Sequence, residues 1–103
     1  MESGQLLKID EIGRIIAPVA EQYGVRKISV FGSYARGDAT EESDMDFHII
    51  DCGSLHGLIR LAGFELALEE ILNISVDVVT TDSLYEDIRQ TIELEEKIVY
   101  DAS

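Results

Sequence analysis

Two aspartates, Asp44 and Asp46, flank Met45 at the head of the apolar run Met45–Ile50, and this pair constrains the chain more than anything else in it. Period-two alternation puts Met45, Phe47 and Ile49 on one face of a strand and Asp44, Asp46 and His48 on the other. Residues i and i+2 of a strand lie roughly 6.6 Å apart at Cα and point the same way. Burying one carboxylate is costly, and a second beside it opposes the ionisation of the first. The chain already carries a formal charge of −13, so its bulk charge only aggravates the problem. Whatever fold forms has to bring a compensating cation or a set of donors to this strand end.

A length of 103 residues and a hydrophobic fraction of 46% fit one domain, residues 1–103, with a modest core. A substrate site on so small a body is expected to be shallow or completed by a partner. The 21 acidic residues against 8 basic ones argue against an extended nucleic-acid footprint, which needs clustered Lys and Arg. A single nucleotide is not excluded, since metal ions and a few donors suffice to hold one phosphate chain. The lone Cys52 permits no internal disulfide and fits a reducing setting. With no basic and apolar leader and no apolar stretch near the ~20 residues of a membrane span, a cytoplasmic chain is expected.

Leu6, Ile9, Ile12, Ile16, Val19 and Tyr23 recur at helical spacing, with Gly13 weakening that helix, Pro18 expected to kink it and Gly24 as its stop. "RKISVF" reads as a strand, "GSYARGDATEES" as loop, and "DMDFHII" as a second strand. A helix follows from about Leu55 to Leu72; its main stripe is Leu58, Leu61, Phe64, Leu68 and Ile71, and a second apolar flank suggests burial on more than one side. "ISVDVVTT" is a third strand, and Asp82 or Ser83 caps a last helix carrying Leu84, Ile88 and Ile92, with Glu95 as a candidate fourth member of that stripe. "KIVY" reads either as a short strand or as a final helical turn. The order predicts an α/β (α+β) fold, a small mixed sheet backed by helices.

Each of the three strands brings polar groups to an end or a face: Gly32 and Ser33 from the first, Asp44 and Asp46 from the second, Asp77 from the third. If the strands are neighbours, three carboxylates converge. Oxygen-only ligation by Asp suits Mg²⁺, whose charge offsets that of the adjacent acids. Two such ions about 4 Å apart suit phosphoryl chemistry. Gly32 lets backbone N–H groups approach a phosphate, Ser33 adds a hydroxyl, and Arg36 offers a bidentate clamp.

"GSYARG", then "SDMD", then "VDVV" resemble the signature of the minimal nucleotidyltransferases of the DNA polymerase beta-like superfamily. Gly32 and Ser33 stand at the Gly-Ser positions, Tyr34 to Ser43 form the spacer, Asp44 and Asp46 match the metal-binding pair, and Asp77 matches the third carboxylate. The resemblance implies the palm fold of that superfamily and transfer of a nucleoside monophosphate, typically AMP from ATP, to a hydroxyl. In chains this short with "GS-aromatic-ARG" it extends to MNT-domain antitoxins paired with HEPN proteins, whose tyrosine is an acceptor. Asp44 and Asp46 would hold Mg²⁺, and Asp77 would help bind the catalytic metal and accept the acceptor's proton. His48 departs from the family pattern, which more often has an aliphatic residue there.

Simpler readings stand beside these. Asp-x-Asp alone is a solvated edge strand more often than a metal site, and Asp77 alone could serve a turn. Arg36 could pair with Asp38 or Glu41 at the surface. Ser43 reads equally as a turn residue or a nucleotide contact, and Tyr34 as a partner contact or a cover for the core. His48 is favoured as a packed, hydrogen-bonded residue rather than a catalytic one. Cys52 and His56 lack companions for zinc, "EESDMD" lacks the glycine and distal Glu of an EF-hand, and the "ELEEK" tail reads as a solvated helix face. The competing functional class is a non-catalytic antitoxin or regulatory subunit that neutralises a partner by covering it. A homo-oligomer is compatible with either class, and transfer to a small molecule is disfavoured by the lack of a second substrate-binding domain.

Overall fold

The computed structural model describes residues 7–102. Four strands, β1 (Lys27–Phe31), β2 (Met45–Asp51), β3 (Val76–Thr80) and β4 (Lys97–Asp101), form one sheet in the order β3-β2-β1-β4. β1 runs antiparallel to both β2 and β4, while β2 and β3 are parallel. A parallel pair needs a long crossover. The 15-residue helix α3 (Leu58–Leu72) supplies it, and the mixed sheet expected from the element order results.

Helix α1 (Ile9–Tyr23) starts where Glu11 accepts from the Lys8 backbone N–H at 2.9 Å and stops at Gly24, whose φ of 73° lies in the left-handed region. Leu6 falls outside the described residues, and Pro18 lies within α1 on its exposed side. Gly13 has a packing reason beyond helix propensity: a Cβ there would run into the Val99 carbonyl of β4. The alternation of β2 sends Met45, Phe47 and Ile49 into one core with Ile28 and Val30 of β1, Ile12 and Ile16 of α1, and Phe64 and Leu68 of α3. Burial of each such side chain stabilises the fold by about 1.5–3 kcal/mol. Tyr34 also belongs to this core, and burial pushes its hydroxyl pKa up.

Three expectations change. α3 begins at Leu58 rather than Leu55, and burial does not extend to both flanks: Leu58 of the main stripe and Ile59 and Leu66 of the second flank are 83%, 89% and 65% exposed. Periodicity marks a residue as apolar without saying what covers it. Asp82 and Ser83 sit in a 3₁₀ turn, Thr81–Ser83, and helix α4 (Glu86–Glu95) starts after Tyr85. The stretch read wholly as loop contains a one-turn helix, α2 (Ser33–Arg36), between Gly32 and Gly37. "KIVY" resolves as strand, since β1 supplies a ladder for it. No described helix is long and apolar enough to cross a membrane.

Candidate active site

The register of the sheet assembles the site. Phe31, the last residue of β1, pairs with Asp46 near the start of β2, and Asp46 pairs with Asp77 of β3. Neighbouring strands lie about 4.8 Å apart, so Gly32, Asp46 and Asp77 form a short row across one end of the sheet. Asp44 precedes β2 and is solvent-exposed, as is Asp77; Asp46 is half-buried.

Gly32 is required twice over at the start of this row. Its φ of 75° and ψ of −150° suit only glycine, and a Cβ would collide with Asp46 Oδ2. β1 therefore leaves the sheet directly against the Asp46 carboxylate and enters α2, where Arg36 N–H donates to the Gly32 carbonyl at 3.0 Å.

Burial raises the Asp46 pKa above its ordinary value, and the Asp77 and Asp44 carboxylates raise it further; Arg36 opposes them and Glu95 adds to them. The oxygen-only donor set and this unrelieved repulsion both fit a hard divalent cation. As the side chains stand, no three His, Cys, Asp or Glu among the described residues are gathered as a metal site, so Asp44 and Asp77 would have to turn inward to share an ion with Asp46.

The repulsion has a measurable sign. The folded chain holds the Asp46 proton more tightly than the unfolded chain, so ionised Asp46 costs stability above its folded pKa, and the cost fades as pH falls through it. In metal-free buffer, Asp46→Asn is expected to raise Tm at pH 7–8. Melting curves taken downward in pH should show the gain disappearing as the wild-type carboxyl takes up its proton. A Tm below wild type at neutral pH would contradict it.

The remaining predicted residues divide. The Arg36 guanidinium lies beside Gly32 but is half-exposed and paired, at 3.3 Å to Asp38 Oδ2 and 3.3 Å to Glu95 Oε1. The Ser43 hydroxyl accepts from the Thr40 N–H at 2.8 Å, the turn role. Ser33 opens α2 next to Gly32. His48 is 2% exposed and hydrogen-bonded, as favoured: Nδ1 donates to Glu96 Oε1 at 2.7 Å and Nε2 lies 2.8 Å from Thr81 Oγ1. The Ser29 hydroxyl, also buried, donates to the same Glu96 oxygen.

Glu95 and Glu96 were the residues missed. Read as part of a solvated tail, they instead turn inward at the α4–β4 junction: Glu95 accepts from the Gly32 N–H at 2.8 Å, and Glu96 from His48 and Ser29. The sequence signal was thin: a polar Ser29 and His48 at apolar strand positions needed a partner that strand alternation could not name.

A nucleotidyltransferase domain model matches residues 12–100, nearly the whole described chain. The chain belongs to the nucleotidyltransferase domain family. It is 37% identical over 91 residues to the protein adenylyltransferase MntA of Thermococcus cleftensis, spanning 84% of this chain and 91% of the relative. This nucleotidyltransferase also superposes on a solved structure described as a minimal nucleotidyltransferase, with a TM-score of 0.75 at 28% identity over 91% of this chain and 98% of that one. A further likeness is to the Shewanella oneidensis complex of a tri-AMPylated HEPN toxin with MNT antitoxin, with a TM-score of 0.66 over 87% of this chain and 70% of that one. At 20% identity, that likeness is one of fold. The four-stranded sheet with its helices is thus the minimal nucleotidyltransferase architecture, and the chain is an enzyme of that class.

Proposed function

We propose that this nucleotidyltransferase moves AMP from ATP, with Mg²⁺, onto a tyrosine hydroxyl of a HEPN-type partner protein, in an antitoxin role. The observation that supports it most is the register Phe31–Asp46–Asp77, which sets a glycine turn beside two carboxylates at one end of the sheet. The adenylyltransferase relative and the AMPylated toxin complex make AMP and a HEPN-type acceptor the donor group and partner of choice.

In this reading the Gly32 N–H, the Ser33 hydroxyl and the Arg36 guanidinium hold the triphosphate, the first because no Cβ stands in the way and the last as a charged clamp. Ser43 borders the nucleotide from the turn before β2. Asp44 and Asp46, with Asp77, would hold one or two magnesium ions, which when bound would neutralise the triphosphate and favour charge development at phosphorus. Asp77 takes the proton of the attacking hydroxyl. The new bond joins the tyrosine oxygen to the α-phosphorus, and the bond to pyrophosphate breaks. α-Labelled ATP, Mg²⁺ and the protein encoded beside this gene test the proposal. Label is expected on a partner tyrosine and absent with EDTA; no transfer with intact protein would overturn it.

A second reading, neutralisation by binding alone, is favoured by the exposed stripe of Leu58, Ile59 and Leu66 on α3, which nothing among the described residues covers.

A further inference from the structure

Two of the three donors assigned above to the triphosphate, the Gly32 N–H and the Arg36 guanidinium, are already engaged. Gly32 N–H donates to Glu95 Oε1 at 2.8 Å, and Arg36 Nη1 lies 3.3 Å from the same oxygen. A carboxylate held by one backbone N–H and one guanidinium has the charge and contacts that a phosphate oxygen would have there. Glu95 does not reach this position by chance of a mobile side chain. Its neighbour Glu96 accepts from buried His48 and from Ser29, and His48 also meets Thr81 just beyond β3. The end of α4 is thereby tied to the sheet centre, and the adjacent carboxylate is delivered onto the glycine turn.

We propose that Glu95 is a built-in phosphate surrogate: it occupies the nucleotide's donors in the empty enzyme and is displaced when a triphosphate arrives. The inference rests on the nucleotide-site reading of the Gly32 turn. Displacement is sterically open, because the Glu95 side chain is 25% exposed and borders a groove of about 410 Å³ lined by Phe31, Arg36, Ile88 and Ile92. While it stays, Glu95 adds its negative charge to that of Asp46, so an incoming anion meets both occupied donors and like charge. Glu95 thus sets the affinity of the free enzyme for nucleotide without touching the reacting atoms. It is a gating residue, and its removal acts on binding rather than on the chemical step.

Glu95→Gln keeps the side chain's shape and removes its charge. In calorimetric titrations with Mg²⁺ present, the Kd for ATP is expected to fall about five-fold or more, since charged hydrogen-bond partners weigh more than neutral ones even after solvent screening. Inorganic tripolyphosphate, which offers phosphates alone, should gain by a similar factor, and adenosine should not gain at all. In turnover the KM for ATP should fall with kcat unchanged. A purely structural clasp would instead lower Tm and leave the Kd unchanged or weaker, which overturns the proposal. Gain for ATP without gain for tripolyphosphate overturns it too. Wild type binding neither nucleotide nor tripolyphosphate, with Glu95→Gln equally inert, overturns the nucleotide-site reading and the surrogate with it; binding by the variant alone supports both. Should the variant fail to fold, wild-type NMR decides: the Gly32 amide and the Glu95 carboxyl resonances must move together on addition of tripolyphosphate and Mg²⁺. Movement of Gly32 with Glu95 unchanged contradicts displacement.

Discussion

The Asp44→Asn, Asp46→Asn double variant is expected to lose the proposed adenylyl transfer by about 10³-fold or more while keeping its fold, since removing even one preorganised electrostatic partner of a reacting centre costs about 10²–10³-fold. Asp44 is exposed, so its replacement removes charge and little else. Asp46 is half-buried among like charges, and Asn preserves its shape beside Gly32. The variant should therefore melt at or above the wild-type temperature in metal-free buffer. Loss of transfer with intact melting separates chemistry from folding. The same variant separates the two functional readings: a folded double variant that still neutralises its partner at normal dose would mean that binding does the work. Retained label transfer would remove these carboxylates from the reaction altogether.

Phe47→Ala is expected to destabilise the chain by about 3–5 kcal/mol, the ordinary cost of deleting a fully buried aromatic ring. Phe47 is 0% exposed and lies between Asp46 and His48 on a central strand, opposite Val30 on one side and Val78 on the other. Domains of this size are stable by only about 5–15 kcal/mol, so Tm should fall by tens of degrees and the variant could be largely unfolded at 37 °C. Ile59→Ser on the outer flank of α3 is the control. Ile59 is 89% exposed, so its replacement should change stability by no more than about 0.5 kcal/mol. Urea denaturation of both variants checks the contrast. Equal losses would show that the outer flank of α3 packs against something in the folded chain.

The strand carrying Asp44 and Asp46 was legible because alternation is local: each residue's face follows from its neighbour's. The glycine turn was legible for a similar reason, since a glycine at the end of an apolar run marks a turn, although Gly-Ser carried its functional reading only together with the aspartates downstream. What joins them is not local. The pairing of Asp46 with Asp77 depends on a parallel register reached through α3, which the strand patterns could offer only on the condition that the strands are neighbours. Glu95 and Glu96 were misread because a run of glutamates at a helix end usually faces water. Here Ser29 and His48, more than forty positions upstream, make one of them a largely buried acceptor. α3 erred in the other direction. Its apolar spacing was read correctly, yet a periodicity of apolar residues carries no record of whether the chain or a partner covers them.

The most direct test is a crystal structure of the wild-type protein with Mg²⁺ and a non-hydrolysable ATP analogue. The account predicts the triphosphate on the Gly32–Arg36 turn, Asp44, Asp46 and Asp77 turned together onto magnesium, and the Glu95 carboxylate gone from the Gly32 amide. A nucleotide bound elsewhere on the chain, or Asp77 pointing away from a metal held by the other two, would contradict it.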